Sequence, residues 1–68
     1  MRALKRMIEG LAGIEEVHVE TQHILVVICD KKVVPLLMSL DGTLAGREVV
    51  EVHVEEIMNG TALLRVVK

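Results

Sequence analysis

The residues best suited to chemistry in this chain are the histidines and glutamates of Glu-Val-His-Val-Glu, a pentapeptide that occurs twice. It occupies residues 16–20 and 51–55. Imidazole nitrogens and carboxylate oxygens are ligands by which proteins commonly hold zinc. The pattern therefore makes each histidine and the glutamate before it a candidate metal ligand: Glu16, His18, Glu51 and His53.

The spacing within each pentapeptide limits such a metal site. Alternating apolar and polar residues predict a β-strand in which His18 shares one face with both flanking glutamates. Residues two apart on a strand lie about 7 Å from each other, which is too far for three bonds of about 2.1 Å to one metal ion. A metal ion would need ligands from a second strand or a second chain.

Length and composition predict a single domain, residues 1–68, with a small core. Domains of this size commonly gain stability from disulfides, metals or oligomerisation. Cys29 is the only cysteine, which excludes an intrachain disulfide and a cysteine-based zinc knuckle. The residues are 51% hydrophobic with no aromatic side chain, so Val, Ile, Leu, Met and Ala must form the core. Oligomerisation is the expected source of further stability.

The first half of the chain predicts a helix followed by two strands. Apolar residues recur at helical spacing over residues 2–12. Residues 14–20 alternate, with Val17 and Val19 on one face, and predict a half-buried strand. The continuous apolar run over residues 23–29 is typical of a strand covered on both faces.

The second half repeats this order. Pro35 predicts the start of a short helix that ends at Gly42, and residues 41–48 predict a loop. Residues 48–57 alternate again, an Asn-Gly pair predicts a hairpin turn, and residues 61–67 are mostly apolar. The repeated order arises either from common descent of the two halves or from coincidence in a chain rich in Val and Glu.

Two helix–strand–strand units predict an α+β fold, a two-layer αββαββ sandwich with a four-stranded antiparallel sheet and both helices on one face. Apolar strands belong in the middle of the sheet and charged strands at its edges. The predicted order is 48–57, 61–67, 23–29, 14–20. This outline resembles a ferredoxin-like sandwich, circularly permuted so that residues 61–67 take the place of the first strand, with a pseudo-twofold relation between the halves.

Residues 10–42 are also similar in rhythm to the middle of heavy-metal-associated domains. The shared features are Gly-Ile, an alternating strand, an apolar strand, an Asp and a helix started by Pro. The Cys-x-x-Cys metal loop of that family has no counterpart here. The resemblance therefore does not imply copper binding by this chain.

The sheet face opposite the helices is the predicted binding surface. The central strands are apolar at both parities, that is, at both their odd-numbered and their even-numbered residues. Whichever set points to this face, it forms an apolar stripe bordered by Glu and His, as in an interface. We expect about 400 Å² per subunit to be buried there, worth about 10 kcal/mol before association costs. The alternative is that the loop at residues 41–47 folds over the stripe. The predicted interface residues are Leu25, Val27, Cys29, Leu63 and Val67. If the other alternating set of residues 24–29 faces outward, Ile24, Val26 and Ile28 take the place of the first three.

These features predict a small interaction or regulatory module that forms a homodimer through the open sheet face. The partner is a second copy or, as an alternative, another protein. The alternative function is a metal-binding or small-ligand-binding protein whose site forms at the dimer seam, where His18 of one chain meets His53 of the other. We expect no enzymatic activity and no cofactor, because no catalytic motif is present.

The remaining classes of partner are disfavoured by charge and composition. A net charge of −2 and the lack of aromatic residues argue against nucleic acid. No apolar run approaches the length that spans a membrane. A single thiol and the absence of an export signal favour the cytoplasm.

Overall fold

The protein consists of a four-stranded antiparallel sheet, two helices and a small additional hairpin. The computed structural model describes residues 1–68. Neither helix is long and apolar enough to cross a membrane. The elements in chain order are α1 (Arg2–Glu9), β1 (Ile14–Thr21), β2 (Ile24–Asp30), a 3-10 turn (Lys31–Val33), α2 (Val34–Met38), β3 (Leu44–Ala45), β4 (Glu48–Val49), β5 (Glu51–Met58) and β6 (Thr61–Val67).

Helix α1 forms because its apolar residues share one face. Leu4 and Ile8, one turn apart, are both buried, and Lys5 pairs with Glu9 at 3.2 Å on the exposed side. The helix ends at Glu9, short of the predicted length, since Gly10 is a poor helix former.

The entry into α2 is fixed by Asp30 and Pro35. The Asp30 side chain accepts a hydrogen bond of 2.9 Å from the backbone N–H of Lys32, which caps the 3-10 turn. Pro35 lies in the first turn of α2, where a backbone N–H has no helical partner to lose. Leu37, fully buried, anchors the helix on the sheet.

The segment predicted as a loop contains the small hairpin of β3 and β4. The predicted strand over residues 48–57 is divided at Val50, whose backbone leaves the ladder. The Val50 N–H donates to the Thr43 carbonyl at 2.8 Å, and the Gly42 N–H donates to the Val50 carbonyl at 2.7 Å. Val50 is 1% exposed, so the residue that interrupts the strand packs in the core.

The hairpin lies on the same side of the sheet as α1. Leu44 and Ala45 line one wall of a groove whose other wall is Ala3 and Met7 of α1. The alternative in which this segment folds over the opposite sheet face is therefore wrong.

The order of the main sheet is β1-β2-β6-β5, which confirms the predicted order. Sequential strands pair in each hairpin, and β2 pairs with β6 in the centre. The turn between β5 and β6 places Asn59 at φ 50° and Gly60 at φ 83°. Positive φ at both central residues is the geometry that Asn-Gly favours.

The core lies between one face of this sheet and the two helices. It is a single cluster of thirteen residues. Both helices contribute to it, so both pack on the same face of the sheet. The residues with no exposed area are Ile8, Leu25, Val27, Cys29, Leu37, Ala62, Leu64 and Val66.

Candidate functional interface

The sheet face opposite the helices carries an apolar stripe along its two central strands. In the register of β2 and β6, three pairs of residues point to this open face: Ile24 with Val67, Val26 with Arg65, and Ile28 with Leu63. All six are half-buried. We name the five apolar members the stripe: Ile24, Val26, Ile28, Leu63 and Val67.

Three residues predicted for the interface lie on the other face. Leu25, Val27 and Cys29 have no exposed area and pack in the core. The prediction that they form the interface is wrong, because their partners across the sheet are the buried residues of β6. Leu63 and Val67, also predicted, do lie on the open face. On β2 the open face is formed by the other alternating set of residues, Ile24, Val26 and Ile28.

Burial also determines the chemistry of Cys29. Desolvation raises the pKa of the Cys29 thiol, and the nearby carboxylates of Asp30 and Glu15 raise it further. The thiolate is the nucleophilic form. The thiol at this position therefore behaves as a small apolar core group.

The two Glu-Val-His-Val-Glu segments occupy equivalent places at the two edges of the open face. His18 Nε2 lies 3.1 Å from Glu16 Oε1, and His53 Nε2 lies 3.3 Å from Glu51 Oε2. Both imidazoles are more than half exposed. Each predicted pair of metal ligands is thus brought together within its own strand.

The two pairs are not brought to each other within one chain. They lie on strands separated by three strand spacings, or about 14 Å. No group of three or more His, Cys, Asp or Glu side chains is placed to hold a metal ion. Ligands from both pairs would meet only in an assembly of two chains.

The last residue of each pentapeptide is an extra residue in its edge strand. The β1–β2 register shifts by one residue between Val19 and Thr21, and the β5–β6 register shifts between Val54 and Glu56. Glu20 and Glu55 therefore lie outside the regular ladder, as in a β-bulge. Both side chains turn inward over the open face.

Glu20 and Glu55 meet at Arg65, which sequence reasoning did not single out. Arg65 Nε donates to Glu20 Oε2 at 3.0 Å, and Arg65 Nη1 lies 3.3 Å from Glu55 Oε1. The hydrogen bond to Glu20 is the main cause that raises the pKa of the Arg65 guanidinium. The three side chains form a bridge from one edge strand to the other across the stripe, which we name the Arg65 bridge. Arg65 is the only basic residue in β6.

Charge is divided unequally between the two sides of the molecule. Of the eight Lys and Arg residues, only Arg65 is on the open face. The other seven are on α1, the 3-10 turn, the small hairpin and the C-terminal residue. Five glutamates border the open face and, with Arg65, give it a formal charge of −4 when both histidines are neutral: Glu16, Glu20, Glu51, Glu55 and Glu56.

The open face also has a recess at the end nearest the Asn-Gly turn. It has a volume of about 360 Å³, and its apolar lining includes Ile28, Met58 and Leu63. Glu56 lies at its border. The recess is thus an apolar concavity with one carboxylate at its border.

Comparison with known proteins finds no relative of this chain. No protein-family model matches the chain, and no curated protein and no solved structure shows significant similarity to it. The rhythm shared with heavy-metal-associated domains is thus not accompanied by a detectable match.

Proposed function

We propose that this protein is a small interaction module without catalytic activity that self-associates as a homodimer through its open sheet face. The stripe is the observation that carries this proposal. Five apolar side chains lie side by side on a face that no element of the chain covers. Contiguous apolar surface with a polar border is typical of binding sites.

A second copy fits this face better than an unrelated partner, because the face has a pseudo-twofold arrangement. Each edge repeats the same glutamate and histidine, and the centre is apolar on both strands. Closed dimers use one patch twice, so the patch must be complementary to itself. Ile28 and Leu63 at one end, and Ile24 and Val67 at the other, offer apolar surface to an identical copy.

The expected affinity is modest. Each stripe residue is already half-buried by its neighbours, so less apolar area is available than the sequence predicted. The open face is narrow, because the axes of its two outer strands are only about 14 Å apart. Two such faces bury less than the roughly 1,200–2,000 Å² of a standard interface. We therefore expect a dimer that dissociates on dilution.

The test is sedimentation equilibrium over a wide range of protein concentration, with matched variants. Leu63→Glu places a carboxylate on the stripe, and Leu44→Glu makes the same change on the exposed hairpin, where Leu44 is 70% exposed. We expect the wild type and Leu44→Glu to dimerise alike and Leu63→Glu to remain a monomer. A wild type that is monomeric throughout, or a dimer abolished only by Leu44→Glu, would contradict the proposal.

A metal or small ligand at the dimer seam is the second candidate. It is favoured by the exposed His–Glu pair at each edge, which two facing sheets would bring together. Zinc should then raise the dimer fraction and the melting temperature, and His18→Ala with His53→Ala should remove both effects. An equal response of the double variant would exclude these histidines.

Two finer assignments belong to the same proposal. The strand order is compatible with a circularly permuted ferredoxin-like sandwich in which β6 would take the position of the first strand. The contact of Lys68 with the groove beside Ala3 and Leu4, near the start of the chain, supports the same assignment. The free, buried thiol of Cys29 supports a reducing compartment such as the cytoplasm.

A further inference from the structure

The helical side of the molecule has a concavity between α1 and the edge strand β1. Its volume is about 600 Å³, and small-molecule sites in proteins have volumes of about 300–1,000 Å³. Residues of α1 line one wall, and Val19 of β1 and Gln22 of the following turn line the other. The concavity lies on the opposite side of the sheet from the open face, because Val19 pairs with the core residue Leu25.

The wall formed by α1 is basic. Its charged side chains are the cations Arg2, Lys5 and Arg6 and the carboxylate Glu9, so its formal charge is +2. Lys5 pairs with Glu9 at 3.2 Å, whereas Arg2 and Arg6 form no ion pair within the chain. The excess charge of the concavity therefore resides on two arginines.

The placement of these two arginines is unfavourable for the helix itself. Arg2 and Arg6 are four residues apart in α1, and like charges at this spacing repel each other and destabilise a helix. Arg65 on the open face, in contrast, contacts two carboxylates. An anion bound between Arg2 and Arg6 would offset a repulsion that no carboxylate of the chain offsets.

Charge and shape indicate the class of anion. A phosphate monoester has a charge of about −1.5 to −2 at pH 7, which matches the charge of the wall, and guanidinium groups bind phosphate oxygens through paired hydrogen bonds. A carboxylate would neutralise only one of the two arginines. Val19 is 55% exposed although it lies on the core side of β1, and it offers apolar surface to an organic group.

We propose that this concavity binds a phosphate monoester, with the phosphate between Arg2 and Arg6 and the organic group on Val19. The side-chain amide of Gln22, on the same wall as Val19, can donate a hydrogen bond to the ligand. This site goes beyond the proposed self-association and does not depend on it, because the two surfaces are on opposite sides of the sheet.

Titration with phenyl phosphate, followed by amide chemical shifts at constant ionic strength, tests the site. We expect saturable shifts in α1 and in the turn between β1 and β2, with the amides of β6 unaffected. Benzoate, which has the same ring and a single charge, should bind several-fold more weakly. Shifts that do not saturate, or that are spread over all basic segments, would overturn the proposal.

Two charge reversals separate this site from a general attraction of anions to a basic surface. Arg2→Glu should raise the dissociation constant for phenyl phosphate by at least about tenfold, a difference of about 1.4 kcal/mol. Arg47→Glu is the matched control, because Arg47 is in the small hairpin and does not line the concavity. It should change the constant little, and equal weakening by both variants would contradict a built site.

The melting temperature without ligand distinguishes lost binding from lost folding. Arg2→Glu places a carboxylate one turn before Arg6, an orientation that stabilises helices. We therefore expect this variant to melt no lower than the wild type while it binds more weakly. Arg6→Gln, which removes the second charge and reverses none, should also bind more weakly. Undiminished binding by either variant in its folded form would overturn the proposal.

Vesicles distinguish a free phosphate monoester from a lipid headgroup. Phosphatidic acid carries a phosphate monoester, whereas phosphatidylcholine has no net charge. Binding of phenyl phosphate without co-sedimentation on phosphatidic acid vesicles would identify a small-molecule site. Co-sedimentation that is absent with phosphatidylcholine and is abolished in Arg2→Glu would identify a lipid phosphate as the ligand. A wild type that binds neither probe would remove the proposal and leave the sheet-to-sheet dimer intact.

Discussion

The two faces of the central strands have similar amino-acid compositions but differ strongly in solvent exposure. On β2, Leu25 and Val27 have no exposed area, whereas Val26 between them is half-buried. The side chains on the two faces are of the same chemical kind. The difference arises because α1 and α2 pack on one face only. A continuous apolar run is typical of a strand that is covered on both faces, and the helices of this chain cover only one face of β2.

The largest expected effect comes from truncating neighbouring leucines on the two faces. Leu64→Ala removes a fully buried side chain and should lower the free energy of unfolding by about 2–5 kcal/mol. Leu63→Ala removes a half-buried side chain from the open face and should cost less than about 1 kcal/mol in the monomer. Urea denaturation at low protein concentration measures both.

In self-association the ranking of the two variants should be reversed. Leu63→Ala should weaken the dimer, while any Leu64→Ala protein that remains folded should dimerise normally. If the two variants lost equal stability in the monomer, the open face would be as closely packed as the core. The comparison between the faces would then fail.

The second effect concerns the close packing of Gly13 against Val33 at one end of the core. Gly13 has φ +88°, and a Cβ at this position would lie 2.4 Å from Val33 Cγ2. Gly13→Ala should therefore destabilise the fold by about 2 kcal/mol or more, through backbone strain and displacement of Val33. Gly42→Ala is the matched control, with φ +80° and no atom within 4 Å. It should show only the strain, so similar melting temperatures would contradict the packing role of Gly13.

The sequence is sufficient to predict the strand order but not the parity of the strands. The order follows from apolar central strands, charged edge strands and short turns. The parity depends on the bulges at Glu20 and Glu55. A two-residue turn after Thr21 with a regular ladder would pair Val19 with Val26. The bulge pairs Val19 with Leu25 instead and so exchanges the faces of β2.

The candidate site is harder to predict than the fold for the same reason. A bulge leaves no clear pattern in Glu-Val-His-Val-Glu, since glutamate suits both a regular edge strand and a bulge. The Arg65 bridge depends on both bulges, because each one turns a glutamate toward the centre of the sheet. The His–Glu pairs, in contrast, follow directly from period-two spacing, and the structure brings each pair together.

The third effect concerns the hydrogen bond that joins edge strand β5 to the segment after α2. The Val52 N–H donates a hydrogen bond of 2.8 Å to Asp41 Oδ1, in a partly buried position. Asp41→Ala leaves this donor unpaired and should lower stability by about 1 kcal/mol. Asp41→Asn keeps an acceptor oxygen and should recover most of the loss. Hydrogen exchange of the Val52 amide checks the assignment, since protection should fall in Asp41→Ala and be retained in Asp41→Asn.

The smallest effect distinguishes a second copy from a basic partner on the open face. The face has a formal charge of −4, so two copies repel each other through solvent-exposed charges. Raising salt shortens the screening length from about 30 Å at 0.01 M to about 10 Å at 0.1 M. We expect the dissociation constant of the dimer to fall several-fold over that range.

A basic partner would respond in the opposite direction, because its attraction to the open face is screened by the same ions. Sedimentation of the wild type in increasing salt, with the Arg65→Leu variant beside it, separates the two cases. Arg65→Leu removes the only positive charge on the face and should steepen the dependence on salt. Self-association that weakens as salt increases would mean that opposite charges attract across the interface. The basic helical side of one copy would then contact the acidic sheet face of another, and the sheet-to-sheet dimer would be wrong.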